Sequence, residues 1–202
     1  RSDYDNQVNK TLFGKHIFNS FVKLINRKNF VLEGGAIESD GKGTLLTTSQ
    51  CLLSPNRNSY FVRQEIEDYL KKIFGLERVL WLDYGYLAGD DTDSHIDTLA
   101  RFCDERTIAY VQCNDERDEH FEELKKMEEQ LKGFKDLNDN PYNLIALPIV
   151  PEIVCEGERL PATYANFLIM NNAVLLPIYG KETDDFAIEQ VKKAFPEREV
   201  TV

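Results

Sequence analysis

Apolar residues fall at Val8, Leu12, Phe13, Ile17, Phe18, Phe21, Val22 and Ile25. That spacing predicts a helix over Asp5–Ile25 with one buried face. Asn26-Arg27-Lys28-Asn29 breaks it, and Phe30–Leu32 reads as a short strand. Ala36–Ser39 and Thr44–Thr48 flank Asp40-Gly41-Lys42-Gly43, a hairpin signal. After the polar turn Ser54–Asn58, Tyr60–Phe74 has helical spacing and Gly75 ends it. Val79–Leu82 is a strand. A second hairpin pairs Ile96–Phe102 with Thr107–Cys113, a charged helix follows over Glu116–Leu131, and Leu144–Val150 is an apolar strand. Pro151–Pro161 reads as a loop. A third hairpin, Phe167–Met170 with Val174–Ile178, leads to a helix over Asp184–Ala194, stopped by Phe195-Pro196, and a strand from Glu199.

The order hairpin–helix–strand thus recurs, with hairpins beginning near Ala36, Ile96 and Phe167, about 60 and 71 residues apart. Self-similarity of that kind signals an array or propeller built from one supersecondary unit. The expected division is a tail of a preceding repeat at 1–33, then repeats at 34–83, 84–150 and 151–202, all within one domain. The leading helix and strand read as the back half of another unit, so the chain is expected to be a piece of a longer protein.

Composition narrows the function. The 202 residues are 42% hydrophobic and 11% aromatic, which permits a core. Thirty-five acidic residues against 24 basic give a net charge of −11, which argues against nucleic acid as a partner and suits a cationic small molecule. No apolar run is long enough to span a membrane. The four cysteines, Cys51, Cys103, Cys113 and Cys155, show no CxxC spacing, so neither a zinc site nor a disulfide framework is expected. Each reads as a packing or incidental thiol.

The stretch with candidate chemistry is Gly89–Phe102, GDDTDSHIDTLARF. On an extended strand, His95 and Asp97 would share a face, giving an acid–base and cation-binding pair. The alternative is an acidic loop with a solvated histidine. A metal site across Asp90–Asp97 is a weaker reading, for lack of further evident ligands. Glu33 occupies the same junction one unit earlier, and in a radial array such junctions converge on the axis. Two carboxylates and an imidazole suit a planar guanidinium, which one carboxylate can accept through two parallel N–H bonds. The rival for Glu33-Gly34-Gly35 is a plain tight turn.

LEGGAIESDGKGTLLTTSQCLLSPNRN (Leu32–Asn58), Gly89–Phe102, Leu160–Gly180 and Phe195–Val200 together resemble the agmatine deiminase family and the related Porphyromonas-type peptidylarginine deiminases. The resemblance implies an α/β fold: the pentein propeller of ββαβ repeats, here about three complete repeats plus part of a fourth. It implies hydrolysis of agmatine to N-carbamoylputrescine and ammonia through a cysteine-bound intermediate. By it, His95 and Glu33 are the catalytic residues, and Asp97 and Asp91 bind substrate. The nucleophilic cysteine is expected beyond Val202 and a further guanidinium-binding aspartate before Arg1, so these 202 residues alone are expected to be inactive. No metal or organic cofactor is implied. The expected partner is agmatine, with no nucleic acid and no membrane; a homo-oligomer stays open. The expected setting is cytoplasmic, in polyamine and putrescine biosynthesis. Peptidylarginine deimination, amidino transfer and a non-catalytic pentein-like binding protein are the alternatives.

Overall fold

The turn Asp40–Gly43 is closed chiefly by the Asp40 side chain, with Ser39 Oγ accepting from Gly41 N (3.1 Å). Asp40 Oδ1 accepts hydrogen bonds from Lys42 N (2.7 Å) and Thr44 N (2.9 Å), and Gly41 and Gly43 take left-handed φ values of 68° and 110°. This sets strand β1 (Ile37–Ser39) antiparallel to β2 (Thr44–Thr48), with Glu38 opposite Leu46. The computed structural model describes Tyr4, residues 7–23, Ile25, Arg27 and residues 29–202.

The chain divides into a unit ending at Val31 and a unit covering Leu32–Val202. In the first, helix α1 covers only Val8–Gly14, far short of Asp5–Ile25, and it buries no residue. Ile17, Phe18, Phe21, Val22 and Ile25 are exposed, while Asp5, Asn6 and Leu24 lie outside the described residues. Helical spacing does not suffice when the apolar face buries none of its described residues, because a short helix draws most of its stability from packing. The expected strand at Phe30–Leu32 is absent, and those residues run without regular structure.

In the second unit, β2 is buried along its whole length and carries β3 (Arg78–Leu82) parallel to it on its other edge. Helix α2 (Arg63–Phe74) makes the crossover, buries Ile66 and Leu70, and ends at Gly75 with φ 68°. The same arrangement follows twice more. Strand β4 (Ala100–Phe102) lies antiparallel to β5 (Thr107–Gln112), and β6 (Asn143–Pro148) lies parallel to β5 after helix α3 (Phe121–Gly133). A short hairpin, β7 (Val154–Cys155) and β8 (Glu158–Arg159), intervenes. Strand β9 (Leu168–Ile169) then lies antiparallel to β10 (Ala173–Leu175), and β11 (Glu199–Thr201) is parallel to β10 after helix α4 (Asp184–Ala194). Asp184 Oδ2 accepts from Gly180 N (2.8 Å) and Lys181 N (3.1 Å), which fixes the start of α4.

Two details depart from the periodicity. The loop expected over Pro151–Pro161 holds β7 and β8, turned by Glu156 and Gly157 at φ 55° and 88°. The strand expected from Ile96 starts only at Ala100, because Ile96–Thr98 is a 3₁₀ turn.

One hydrophobic cluster runs from Leu46 and Leu82 through Ile96, Ile108, Val111, Met127 and Leu147 to Val191 and Phe195, so the three sheets share a core. A polar tie crosses it. Arg101 on β4 donates from Nε to Glu38 Oε2 on β1 (2.8 Å) and from Nη1 to the carbonyls of Ala165 (3.1 Å) and Phe167 (2.8 Å) beside β9. The guanidinium also sits over the Phe167 ring, 4.9 Å from its centroid. Burial pushes the Glu38 carboxyl up, and Arg101 opposes that shift. No helix among the described residues is long and apolar enough to cross a membrane.

Candidate functional site

The loop ahead of β4 is shaped by Asp90. Its Oδ2 accepts from Ser94 N (2.7 Å), and its Oδ1 accepts from the Thr92 hydroxyl (2.6 Å). These bonds hold Asp93 and Ser94 in left-handed conformations, each at φ 60°. Thr48 Oγ1, at the end of β2, donates to Ser94 O at 2.7 Å and anchors the loop to the first sheet. His95 follows directly and caps the 3₁₀ turn that contains Asp97. The two side chains come together through this turn, and not through strand alternation.

Their meeting point is Gly35. A Cβ placed there would lie 2.5 Å from His95 Nδ1 and 2.8 and 2.9 Å from the Asp97 oxygens. Gly35 does not have a positive φ, so its hydrogen is needed for space and not for backbone freedom. Gly34 has open space where its Cβ would be. Glu33–Ala36 is a tight 3₁₀ turn, closed by Ala36 N donating to Glu33 O (3.1 Å), and at Gly35 it also admits the imidazole and carboxylate against the backbone.

Glu33 approaches from the other side. Its Oε2 lies 3.7 Å from His95 Nε2, an ion-pair distance too long for a hydrogen bond, and His95 Nε2 is buried without a hydrogen-bond partner. Arg57 clamps Glu33 through Nε to Oε2 (2.5 Å) and Nη2 to Oε1 (2.9 Å). The same guanidinium reaches Asp93 Oδ2 (2.5 Å) and the Thr92 carbonyl (2.9 Å). These bonds, Arg57 foremost, hold the Glu33 and Asp93 carboxyls below their ordinary values. Burial pushes the Asp97 carboxyl up, against the pull of Arg101 and His95.

Sequence reasoning missed Arg57. It lies in the turn Ser54–Asn58, which folds as a helical turn opened by Ser54 and Pro55. Its partners are 24 and 36 residues away, so no local pattern marks it. Cys51 was also placed away from the site. It is fully buried, and one ligand atom each from Glu33, Cys51 and His95 lies within 4.8 Å of the others. Burial pushes its thiol up to about 12. Asp91 stands exposed on the loop, while Arg57 and His95 pair with Glu33 and Asp93 instead of with it. The structure thus brings together Glu33, His95 and Asp97 and leaves Asp91 at the rim.

The Asp90–His95 loop is held from below. His120, almost fully buried, accepts from Ala88 N at Nε2 (2.8 Å) and pairs through Nδ1 with Asp118 (2.5 Å). The first hydrogen bond fixes the tautomer with the proton on Nδ1.

The Porphyromonas-type peptidyl-arginine deiminase family matches residues 1–202. A crystal structure from Porphyromonas gingivalis, provisionally described as an arginine deiminase, is 51% identical with a TM-score of 0.94, covering 97% of this chain and 58% of that one. A Cys-to-Ser form of the C. jejuni agmatine deiminase with substrate bound is 44% identical, with a TM-score of 0.88, covering 98% of this chain and 56% of that one. A protein of Marinomonas sp. (strain MWYL1), provisionally named an agmatine deiminase, is 37% identical over an alignment 187 residues long, which covers 84% of this chain and 50% of that protein. The chain spans about half the length of the curated relatives it matches.

Proposed function

The chain belongs to the Porphyromonas-type peptidyl-arginine deiminase family, and from that premise we propose that it carries the acid–base and guanidinium-binding residues of an agmatine deiminase. It has the α/β fold of the agmatine deiminase structures. We read its repeated sheets as part of a pentein propeller. The reaction is hydrolysis of agmatine to N-carbamoylputrescine and ammonia.

The observation that carries this reading is the meeting of His95, Asp97 and Glu33 around Gly35. The clamp on Arg57 is supporting chemistry: Glu33 already accepts a guanidinium through two N–H bonds. In the whole protein a cysteine thiolate adds to the guanidinium carbon. His95 protonates the departing ammonia, leaving an amidino thioether; it then takes a proton from water, which adds to the same carbon and expels the thiolate. Asp97 holds the cation in attack geometry, and Glu33 orients the imidazole. Asp91, at the rim, is left the task of meeting the substrate's distal amine.

None of the four cysteines suits the nucleophile's role. The buried thiols of Cys51 and Cys103 are pushed up to about 12, burial also raises that of Cys113, and Cys155 belongs to the β7–β8 hairpin. Residues 1–202 by themselves are therefore proposed to be inactive; agmatine turnover by that stretch alone would refute this. The family's description names peptidyl-arginine, so the same chemistry on a protein side chain is the second reading. Ammonia release by the whole protein from agmatine, free arginine and an arginine peptide separates the two. Preference for the peptide rejects the agmatine assignment, and full turnover by His95→Gln rejects the role given to His95.

A further inference from the structure

Cys51 has no part in the proposed reaction, yet it is packed against the two groups that do. One oxygen of Glu33, the Cys51 sulfur and a ring nitrogen of His95 lie mutually within 4.8 Å. They come from three separate segments: the turn ahead of β1, the helical turn after β2 and the loop ahead of β4. Carboxylate, thiolate and imidazole are the donor set of zinc-class ions. In a tetrahedral site with metal bonds of about 2.0–2.3 Å, donors stand roughly 3.3–3.6 Å apart. The 3.7 Å between His95 Nε2 and Glu33 Oε2 is already close to that separation, and the sulfur needs to move by only about 1 Å to complete it.

Two further observations favour a ligand. His95 Nε2 is buried with no hydrogen-bond partner, although Glu33 and Cys51 stand beside it. The local charge is negative: the carboxylates of Glu33, Asp90 and Asp93 act on Cys51 together with the guanidinium of Arg57. Arg57 repels a cation, but its own charge is taken up by Glu33 and Asp93. Each carboxylate oxygen of Glu33 keeps a second lone pair. Glu33, at 41% side-chain exposure, is the entry from solvent.

We infer that Glu33, Cys51 and His95 form a binding site for a soft divalent ion of the zinc class, and that the bound ion blocks proton transfer at His95. Binding forms the metal–sulfur bond and releases the Cys51 thiol proton to solvent, so occupancy falls as pH falls. The site stands on geometry alone, whereas its inhibitory effect rests on the deiminase reading.

Cobalt(II) titrated into the purified whole protein, with zinc as competitor, tests the site. The expected signals are a thiolate-to-cobalt charge-transfer band and the intense visible bands of a four-coordinate ion, both bleached by zinc. Cys51→Ala and His95→Gln each abolish them, and Cys155→Ser keeps them. Absence of the charge-transfer band in the unmodified protein overturns the site, as does its survival in Cys51→Ala. If Cys51→Ala is not folded by circular dichroism, His95→Gln decides: affinity unchanged within about tenfold overturns the site. Ammonia release from agmatine that persists undiminished with the band saturated overturns the inhibition. Absence of turnover by the whole protein without metal counts against the deiminase reading and leaves the band to decide the site.

Discussion

Arg57 and Arg101 each hold a glutamate, and both side chains are largely closed to solvent, at 9% and 14% exposure. The carboxylates differ. Glu38, held by Arg101, is 11% exposed and its carboxyl is pushed up by burial. Glu33, held by Arg57, is 41% exposed and its carboxyl is pulled down. The same pairing of residue types thus gives a tie between sheets in one place and an ionised, solvent-facing acceptor in the other. What separates them is how far the carboxylate is removed from water, since burial sets the sign of its shift against the same partner.

The contrast breaks most visibly at Arg101. Arg101→Met leaves Glu38 buried without its cation and the carbonyls of Ala165 and Phe167 without their donor. The expected loss is about 3–5 kcal/mol in denaturant unfolding. A loss below about 1 kcal/mol would put this pair in the class of surface ion pairs. Next comes Gly35→Ala, whose methyl group meets His95 and Asp97 at under 3 Å. Displacing that pair by a fraction of an ångström should lower the whole protein's ammonia release by about a hundredfold. Gly34→Ala, facing open space, is the control and should stay within a few-fold.

Arg57→Gln sharpens the comparison from the other end. Glu33 and Asp93 are both about 40% exposed, so water can replace the guanidinium. Unfolding free energy should fall by only about 1 kcal/mol, measured in urea. A loss as large as that of Arg101→Met would make the two clusters equivalent. The smallest effect is in pH. The carboxyls of Glu33 and Asp93 are lowered from 4.5 and 3.8, so their contribution is complete above those values and is lost as pH falls through the folded-state values. Glu38 and Asp97 are raised, so folding gains from them as pH falls toward the same unfolded values. Glu33→Gln should therefore lower stability on the neutral side, where that contribution is complete, and flatten its loss toward acid, as followed by unfolding between pH 7 and 3. An unchanged acid limb would show that Glu33 gains nothing from Arg57.

How much of this was legible beforehand depended on distance along the chain. The bounds of α4 follow from the sequence because start and stop are local, with Asp184 gathering the amides of Gly180 and Lys181 and Phe195-Pro196 ending it. The residues Glu33, His95 and Asp97 could be picked out, but the assumed geometry was wrong: Asp90 bends the loop, and a 3₁₀ turn takes the place of the strand. Arg57 could not be picked out, because a polar turn gives no sign of partners in two other segments. The periodic run over Asp5–Ile25 misled because spacing reports a potential face and not a surface for it to cover. The β7–β8 hairpin was missed because Glu156-Gly157 lacks the Asn-Gly or Asp-Gly signature of such turns.

The Arg101 tie has a further consequence, for cooperativity. One guanidinium on the second sheet holds a carboxylate of the first and two carbonyls beside the third. Opening the first or the second sheet strands a buried charge in the other, and opening the third leaves the guanidinium without two acceptors, so partial unfolding sheet by sheet is disfavoured. Amide protons of Leu46, Val111 and Val174, one deep in each sheet, should then exchange with solvent at a common, globally set rate. With Arg101→Met the third sheet, whose strands are only two or three residues long, should begin to exchange ahead of the others.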